Sequence, residues 1–468
     1  MYKRKIIASG IIMMLGAPLS AFAAESAEIQ KIRDEINALR QSYEARIQAL
    51  EQRLQKSEVA ASSAESHAAQ AESKASQVAA ALPAQAPAAP ADNINAFNPG
   101  VSLILSGLYS NHSHDPAGYR ITGFHLPNAV LGDLQPQRGF SLAESELGIY
   151  ASVDPFFFGG LNFAIHPDNS VSTEEAFIQT TALNYGMTVK AGRFFSGIGY
   201  LNEQHAHTWD FVDAPLAYQA FLGGQFNNDG LQLRWLAPTD TYLEVGAEAG
   251  RGANYPGTGR DKNGAGASAL FAHLGGDVGI SHNWRAGVSL LTTSPQGRQW
   301  DDTSLDGAFV SNSFSGNSKL WIADAVWKWA PNGNSYYTNF KLQGEYLRRV
   351  EDGNLVYDFN GAAVPGGYSA TQSGWYLQGI YQFAPYWRVG LRTERLDPGS
   401  VDYGSNNAVL YRPDYRPARH ALMVDFNPSE FSRLRLQFAQ DKSTQGVNDK
   451  QIFLQYQMSL GAHGAHKY

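Results

Sequence analysis

The side chains best suited to metal or proton chemistry gather in one short stretch that contains Glu203, His205, His207, Asp210 and Asp213. Imidazole is a ligand for zinc, copper and nickel, and carboxylates can complete such a site. On an extended segment, residues two apart point the same way, so both rings can face one ion. The expected metal set is therefore His205, His207, Asp210 and Asp213, holding zinc transiently rather than as a resident cofactor. The competing reading has the two histidines shape a polar constriction or anchor their loop by hydrogen bonds. Two other groups, His112-Ser113-His114-Asp115 and His463-Gly464-Ala465-His466, are compositional hints alone. No metalloprotease, nucleophile-elbow, Walker or dinucleotide motif stands in its required context, so no enzyme is expected.

A second set of charges lies on segments that alternate. Leu231, Leu233 and Trp235 are apolar while Gln232 and Arg234 between them are polar; Leu434, Leu436 and Phe438 alternate with Arg433, Arg435 and Gln437. Such strands present one face to an apolar phase and the other to water. Alternation assigns Lys190, Arg234, Arg285, Arg388, Arg392, Arg433, Arg435, Glu244 and Glu248, with Glu146 and Glu175, to the watery side. Charges lining a pore set ion selectivity. The expectation is a transverse field between the basic wall of Arg388, Arg392, Arg433 and Arg435 and the acidic stretch around Asp210 and Asp213.

Connections of two sizes take turns between these strands. Tight turns fall at residues 154–156, 183–186, 238–240, 282–283, 331–334, 384–386 and 427–429, and mostly longer Gly-, Asn- and Asp-rich connections separate them. Seven tight turns and eight outward loops predict sixteen strands, near 101–109, 142–153, 158–166, 173–182, 187–195, 230–237, 241–250, 267–281, 284–293, 318–329, 335–350, 372–383, 386–396, 417–426, 431–441 and 449–460. An even number of strands with short turns on one side and long loops on the other is the pattern of an all-β transmembrane antiparallel barrel. Phe156, Phe157, Tyr185, Tyr386 and Trp387 crowd the tight turns, where an interfacial girdle belongs.

Composition agrees. There are 46 Gly, 24 Phe, 23 Tyr and 9 Trp, and no cysteine, which excludes disulfides and thiolate metal sites. The N-terminus joins Lys3-Arg4-Lys5 to an apolar run that ends at Ala21-Phe22-Ala23, a secretory signal over residues 1–23. Its removal makes the formal net charge of -7 more negative still, so nucleic acid is not an expected partner. Ile29, Ile32, Ile36, Leu39, Tyr43, Ile47, Leu50 and Leu54 then follow a three-four spacing with one stutter. They predict an α-helical periplasmic coiled coil over 24–58, which leans toward a homotrimer. Residues 59–97 are an Ala-, Ser- and Pro-rich linker, and 98–468 the barrel in the outer-membrane lipid.

In this register, residues 196–229 form the third outward loop, and the chain resembles sixteen-stranded porins, in which that loop folds inward as the constriction. A closer likeness runs from Gly192-Arg193-Phe194-Phe195 through Trp209-Asp210-Phe211 to Ala214-Pro215. It resembles a proteobacterial family labelled zinc-regulated or TonB-dependent outer-membrane receptors. That resemblance implies a metal ion or metal complex as cargo and a periplasmic energy-coupling partner. The chain departs from energised receptors, which carry a plug of over a hundred residues inside about 22 strands. Passive uptake of small solutes through a porin-like channel, with zinc among them, is the expected function. The energised receptor, or a structural or adhesive barrel, is the alternative.

Overall fold

The computed structural model describes residues 99–259 and 263–461. The signal peptide, coiled coil and linker expected over residues 1–97 lie outside them, as do His463 and His466.

Among the described residues, sixteen antiparallel strands close into one barrel. They are β1 Gly100–His112, β2 Ser145–Asp154, β3 Phe157–Ile165, β4 Val171–Thr180, β5 Met187–Phe195, β6 Asn227–Leu236, β7 Tyr242–Gly250 and β8 Ala267–Val278, followed by β9 His282–Thr293, β10 Phe309–Trp329, β11 Asn339–Tyr357, β12 Val364–Ala384, β13 Trp387–Asp402, β14 Ala418–Ser429, β15 Ser432–Lys442 and β16 Asp449–Gly461. Two short segments extend the wall at the outer rim: Gly139–Leu142 continues β2 along β1, and Arg298–Thr303 continues β9 along β10. Val101 of β1 pairs with Ile149 of β2, and Ser102 pairs with Gly461 of β16, so the sheet meets itself. Closure leaves no edge, as a sheet in hydrocarbon requires.

The burial pattern is that of a soluble protein turned inside out. On β15, Leu434 (44%), Leu436 (37%) and Phe438 (42%) are exposed, whereas Arg435 (1%) and Gln437 (0%) are buried toward the axis. The same inversion holds for Leu231, Leu233 and Trp235 against Gln232 on β6. Only lipid makes an exposed apolar belt around a polar interior stable, and such barrels belong to outer membranes. Exposed Phe156, Phe157, Tyr185, Tyr386 and Trp387 ring the tight-turn end, with Tyr336, Tyr337 and Phe431 beside them. That end is the periplasmic one.

Four consecutive strands run further than their local sequence implies. β10 and β12 each have 21 residues and begin at Phe309 and Val364, where the sequence predicts starts at 318 and 372. At ~3.3 Å per residue each is roughly 70 Å long, more than twice a ~30 Å hydrocarbon layer. The Gly-, Ser- and Asn-rich stretches that read as loops pair in register instead, with Gly316 opposite Gly353 and Ser315 opposite Asn354. Trp300, Phe314, Leu355, Tyr368, Val401 and Tyr403 pack on their inner side, which stabilises this tall wall.

The interior is not empty. The third loop, Ser196–Phe226, enters the lumen, and the first loop, residues 113–138, lies against it. Ile121, Phe124 and Leu126 of the first loop pack on Leu216, Phe221 and Leu222 of the third, and both meet Leu320, Ile322, Leu347 and Leu396 of the wall. Burying each such side chain is worth about 1.5–3 kcal/mol. This apolar cluster occupies the outer half of the lumen. The inward third loop follows the expectation; the inward first loop does not, because its apolar residues show no periodicity that separates them from an ordinary surface loop.

Candidate functional site

The third loop is built to stay in place. It leaves β5 at Phe195, forms the short helix α2 Leu216–Leu222 after α1 Asn128–Asp133 of the first loop, and rejoins the wall at β6. Asn202 ties its neck: its side-chain amide donates to the Ser196 and Phe226 carbonyls at 2.8 Å each and accepts from the Phe226 N–H at 2.8 Å. Glu248 of β7 accepts from the Ser196 hydroxyl (2.6 Å) and the Gly197 N–H (2.8 Å). Glu345 of β11 accepts from the Tyr200 N–H (3.2 Å), the Leu201 N–H (3.0 Å), the Tyr218 hydroxyl (2.9 Å) and the Tyr376 hydroxyl (2.6 Å). Gly199 makes this approach feasible: its φ is 65°, and a Cβ there would stand 2.4 Å from the Glu345 carboxylate. Gly223, with φ 68°, ends α2 in the left-handed region and donates to the Gln219 and Tyr218 carbonyls.

Along the loop, charges are sorted toward opposite walls. His205 and His207 face an acidic wall. His205 Nδ1 lies 3.1 Å from Glu146 and 3.3 Å from Glu174, its Nε2 lies 3.1 Å from Glu175, and His207 Nδ1 lies 2.6 Å from Glu146. Burial pulls the His205 imidazolium down, but the Glu146, Glu174 and Glu175 carboxylates outweigh it and hold its pKa well above the ordinary value.

Asp210 and Asp213 face the basic wall. Asp210 pairs with Lys341 and with Arg388 at 3.2 Å. Asp213 pairs with Arg392 at 2.8 Å and Arg419 at 2.7 Å, and accepts from Gln437 at 2.9 Å. Burial alone pushes both carboxyls up. The cations reverse this, Lys341 and Arg388 taking Asp210 below the usual carboxylate range and Arg419 and Arg392 taking Asp213 down to about 2.

Beneath the loop lies a cavity of about 1690 Å³ that reaches the periplasmic turns. Gln204, His205, His207 and Asp210 roof it, and Glu175, Lys190, Arg388 and Arg433 line its sides. Above the loop, the first loop is latched to four neighbours. The Tyr119 hydroxyl donates to Gln219 at 2.9 Å, Thr122 N–H to the Ser443 carbonyl at 3.0 Å, and Gln372 to the Gly123 carbonyl at 2.6 Å, while His125 Nε2 meets the Tyr403 hydroxyl at 2.9 Å. Phe124 packs edge-on to Phe221 with ring centres 5.5 Å apart.

The charges assigned to the lumen from alternation lie on the inner side; most of them hold the loop or one another, and Lys190, Arg388 and Arg433 also line the cavity. Arg433 donates to the His207 carbonyl at 2.8 Å, and Arg435 pairs with Asp425 at 2.7 Å. Arg392 pairs with Glu394 at 2.7 Å as well as with Asp213, while Arg388 pairs with Asp425 as well as with Asp210. Arg234 pairs with Glu203 and Glu244, and Arg285 lies over the Tyr200 ring at 5.2 Å. Lys190 lies over the Phe177 ring at 4.4 Å, and Glu248 holds the loop neck. The expected transverse field is thus drawn into direct ion pairs. Asp210 and Asp213 part from the histidines beyond the 3-10 turn Ala206–Thr208, which carries His207 itself. Sequence reasoning missed Glu174, Lys341, Glu345, Glu394, Arg419 and Asp425; alternation does place Glu394 on the face of Arg392, and that signal would have found it. At the outer end of β1, His112 Nδ1 meets Asp449 at 3.1 Å, and the N–H of exposed His114 donates to the same carboxylate at 2.8 Å, so that pair is bound to the rim.

No protein-family profile matches the chain. It is 29% identical over 398 residues to an uncharacterized protein of Aquifex aeolicus (strain VF5), which covers 80% of each chain. Among solved structures, OprB of Pseudomonas putida is 14% identical with a TM-score of 0.47, over 78% of this chain and 94% of its own. The trimer form of the outer-membrane protein OmpT of Vibrio cholerae is 11% identical with a TM-score of 0.47, over 77% and 99%. An anion-selective porin from Comamonas acidovorans is 12% identical with a TM-score of 0.45, over 78% and 100%.

Proposed function

We propose that this protein is an outer-membrane channel for small polar solutes, held closed in the described conformation by its first and third loops. The observation that carries this reading is a charged loop suspended across a polar barrel, with a cavity of about 1690 Å³ below it and an apolar cluster above it. A purely structural barrel has no need of a lumen crossed by a loop that opposite charges clamp to opposite walls. A solute entering from the periplasmic side meets Glu175 and the histidines on one side and Arg388 and Arg433 on the other, an arrangement that orients dipolar molecules.

Zinc or a zinc complex is the finer reading of the cargo, supported by His205 and His207 at the cavity roof. Assembly as a homotrimer is part of the same proposal and rests on the heptad-like spacing of residues 29–54. Sixteen strands speak for passive diffusion over an energised receptor of about 22 strands. Purified protein in planar bilayers tests the proposal. Conductance that steps in threes, with long closures, is expected; a membrane that stays silent at every voltage and pH, with the protein shown to be inserted, overturns it.

A further inference from the structure

We propose that the junction between the third loop and the acidic wall is a resident divalent-metal site, with His205 Nδ1, His207 Nδ1 and Glu146 as ligands and Glu174 beside them. The set differs from the one spacing implies: Asp210 and Asp213 are committed to cations, and the wall supplies the carboxylates. Donor atoms of Glu146, His205 and His207 lie within 4.8 Å of one another, as do those of Glu144, Glu146 and Glu174. Tetrahedral donors ~2.1 Å from zinc stand roughly 3.4 Å apart, so small side-chain adjustments would close the site.

Three features point to a cation rather than to a hydrogen-bonded anchor alone. First, four carboxyl groups, those of Glu144, Glu146, Glu174 and Glu175, surround two imidazoles with Lys190 near Glu175, so acidic groups outnumber basic ones even with both rings protonated, and buried negative charge is costly without a counter-ion. Second, Glu144 Oε1 is buried without a hydrogen-bond partner. Third, both Nδ1 atoms turn toward Glu146 (3.1 and 2.6 Å), while His205 Nε2 turns toward Glu175 at 3.1 Å. An imidazole that binds metal through one nitrogen and donates its other N–H to a carboxylate has this orientation. Two imidazoles with carboxylates favour zinc, nickel or cobalt over magnesium or calcium, and the chain has no thiolate to offer.

The ion would stitch the loop to β2 and β4, so it acts as a latch on the constriction and is reached from the periplasmic cavity. Binding would displace protons from the imidazoles, and affinity would therefore fall with falling pH. The site does not depend on the channel reading, since metal binding and conductance are read separately.

The test uses the full chain in detergent, stripped with chelator and titrated with Co2+. The expected result is one ion per chain, with the intense visible bands of a tetrahedral centre, retained when His463 and His466 are replaced by Asn. Glu146→Gln should weaken it at least ~10-fold, the usual scale for disturbing a metal's immediate surroundings. Where that variant fails to assemble, judged by heat-modifiable gel mobility, His207→Asn replaces it. Absence of the one-to-one step in the native chain, or equal affinity in the assembled variants, overturns the proposal.

Discussion

At the scale of single residues, the loop's attachment is a titration problem with two ends. His205 has a raised pKa, so its contribution is fully present below the unfolded value of 6.5 and is lost as pH rises through the higher folded value. Asp213 has a lowered one, so its contribution is present above the unfolded 3.8 and is lost as pH falls toward about 2. The third loop should be most firmly held from about pH 4 to beyond neutrality and should loosen in alkali. In metal-free bilayers, closures are expected to shorten as pH rises, and His205→Gln should remove that alkaline dependence. An unchanged pH profile in the variant would show that His205 does not hold the loop. Glu345 offers a sharper perturbation, because Glu345→Ala strands two backbone N–H groups and two tyrosine hydroxyls in a buried place. The cost to loop docking should be on the order of 3 kcal/mol, with more frequent open-channel events while the barrel keeps its strand circular dichroism.

The elements explain why opening requires a coordinated movement. The third loop is fixed by charge, whereas the first loop is fixed chiefly by apolar packing of Ile121, Phe124 and Leu126 and by polar ties around the rim. The first loop is therefore the element expected to move first, since no ion pair joins it to the third among the described contacts. Phe124→Ala should weaken the lid by about 3 kcal/mol and raise the open probability in single-channel records. The absence of native cysteine makes the converse test clean. With Tyr119→Cys and Gln219→Cys joined by a cleavable bis-maleimide, conductance should fall and should return on cleavage; persistence of full conductance would show that solutes bypass the first loop.

For the whole molecule, the inverted burial pattern sets a depth-dependent rule. Leu436→Arg, on the lipid side of β15, should cost about 2–4 kcal/mol and lower the folded fraction in bilayer refolding assays. The neighbouring Arg435→Leu should also destabilise the barrel, for another reason: it takes from buried Asp425 one of its two ion pairs and leaves the one to Arg388. Salt should rescue neither variant, because neither defect is a screened surface interaction.

The barrel was legible in the sequence because its code is local. Alternation along Leu434-Arg435-Leu436-Gln437-Phe438 fixes which face meets lipid whatever the neighbouring strand, and the tight turns fix the strand count. The height of the wall was not legible, since Gly316 and Gly353 read as turn residues until each is placed opposite the other. Nor was the lid: Phe124 is an ordinary loop aromatic until Phe221, almost a hundred positions later, is brought to its ring. The histidine pair announced itself by spacing, yet its partners sit on two other strands, Glu146 on β2 and Glu174 and Glu175 on β4, and Asp210 and Asp213 turned to Lys341, Arg388, Arg392 and Arg419. Periodicity and turn chemistry act over a few residues, and the sequence alone determines what they control. Which charge meets which across a closed barrel depends on strand register and on how a loop falls inside it, and only the tertiary structure decides that.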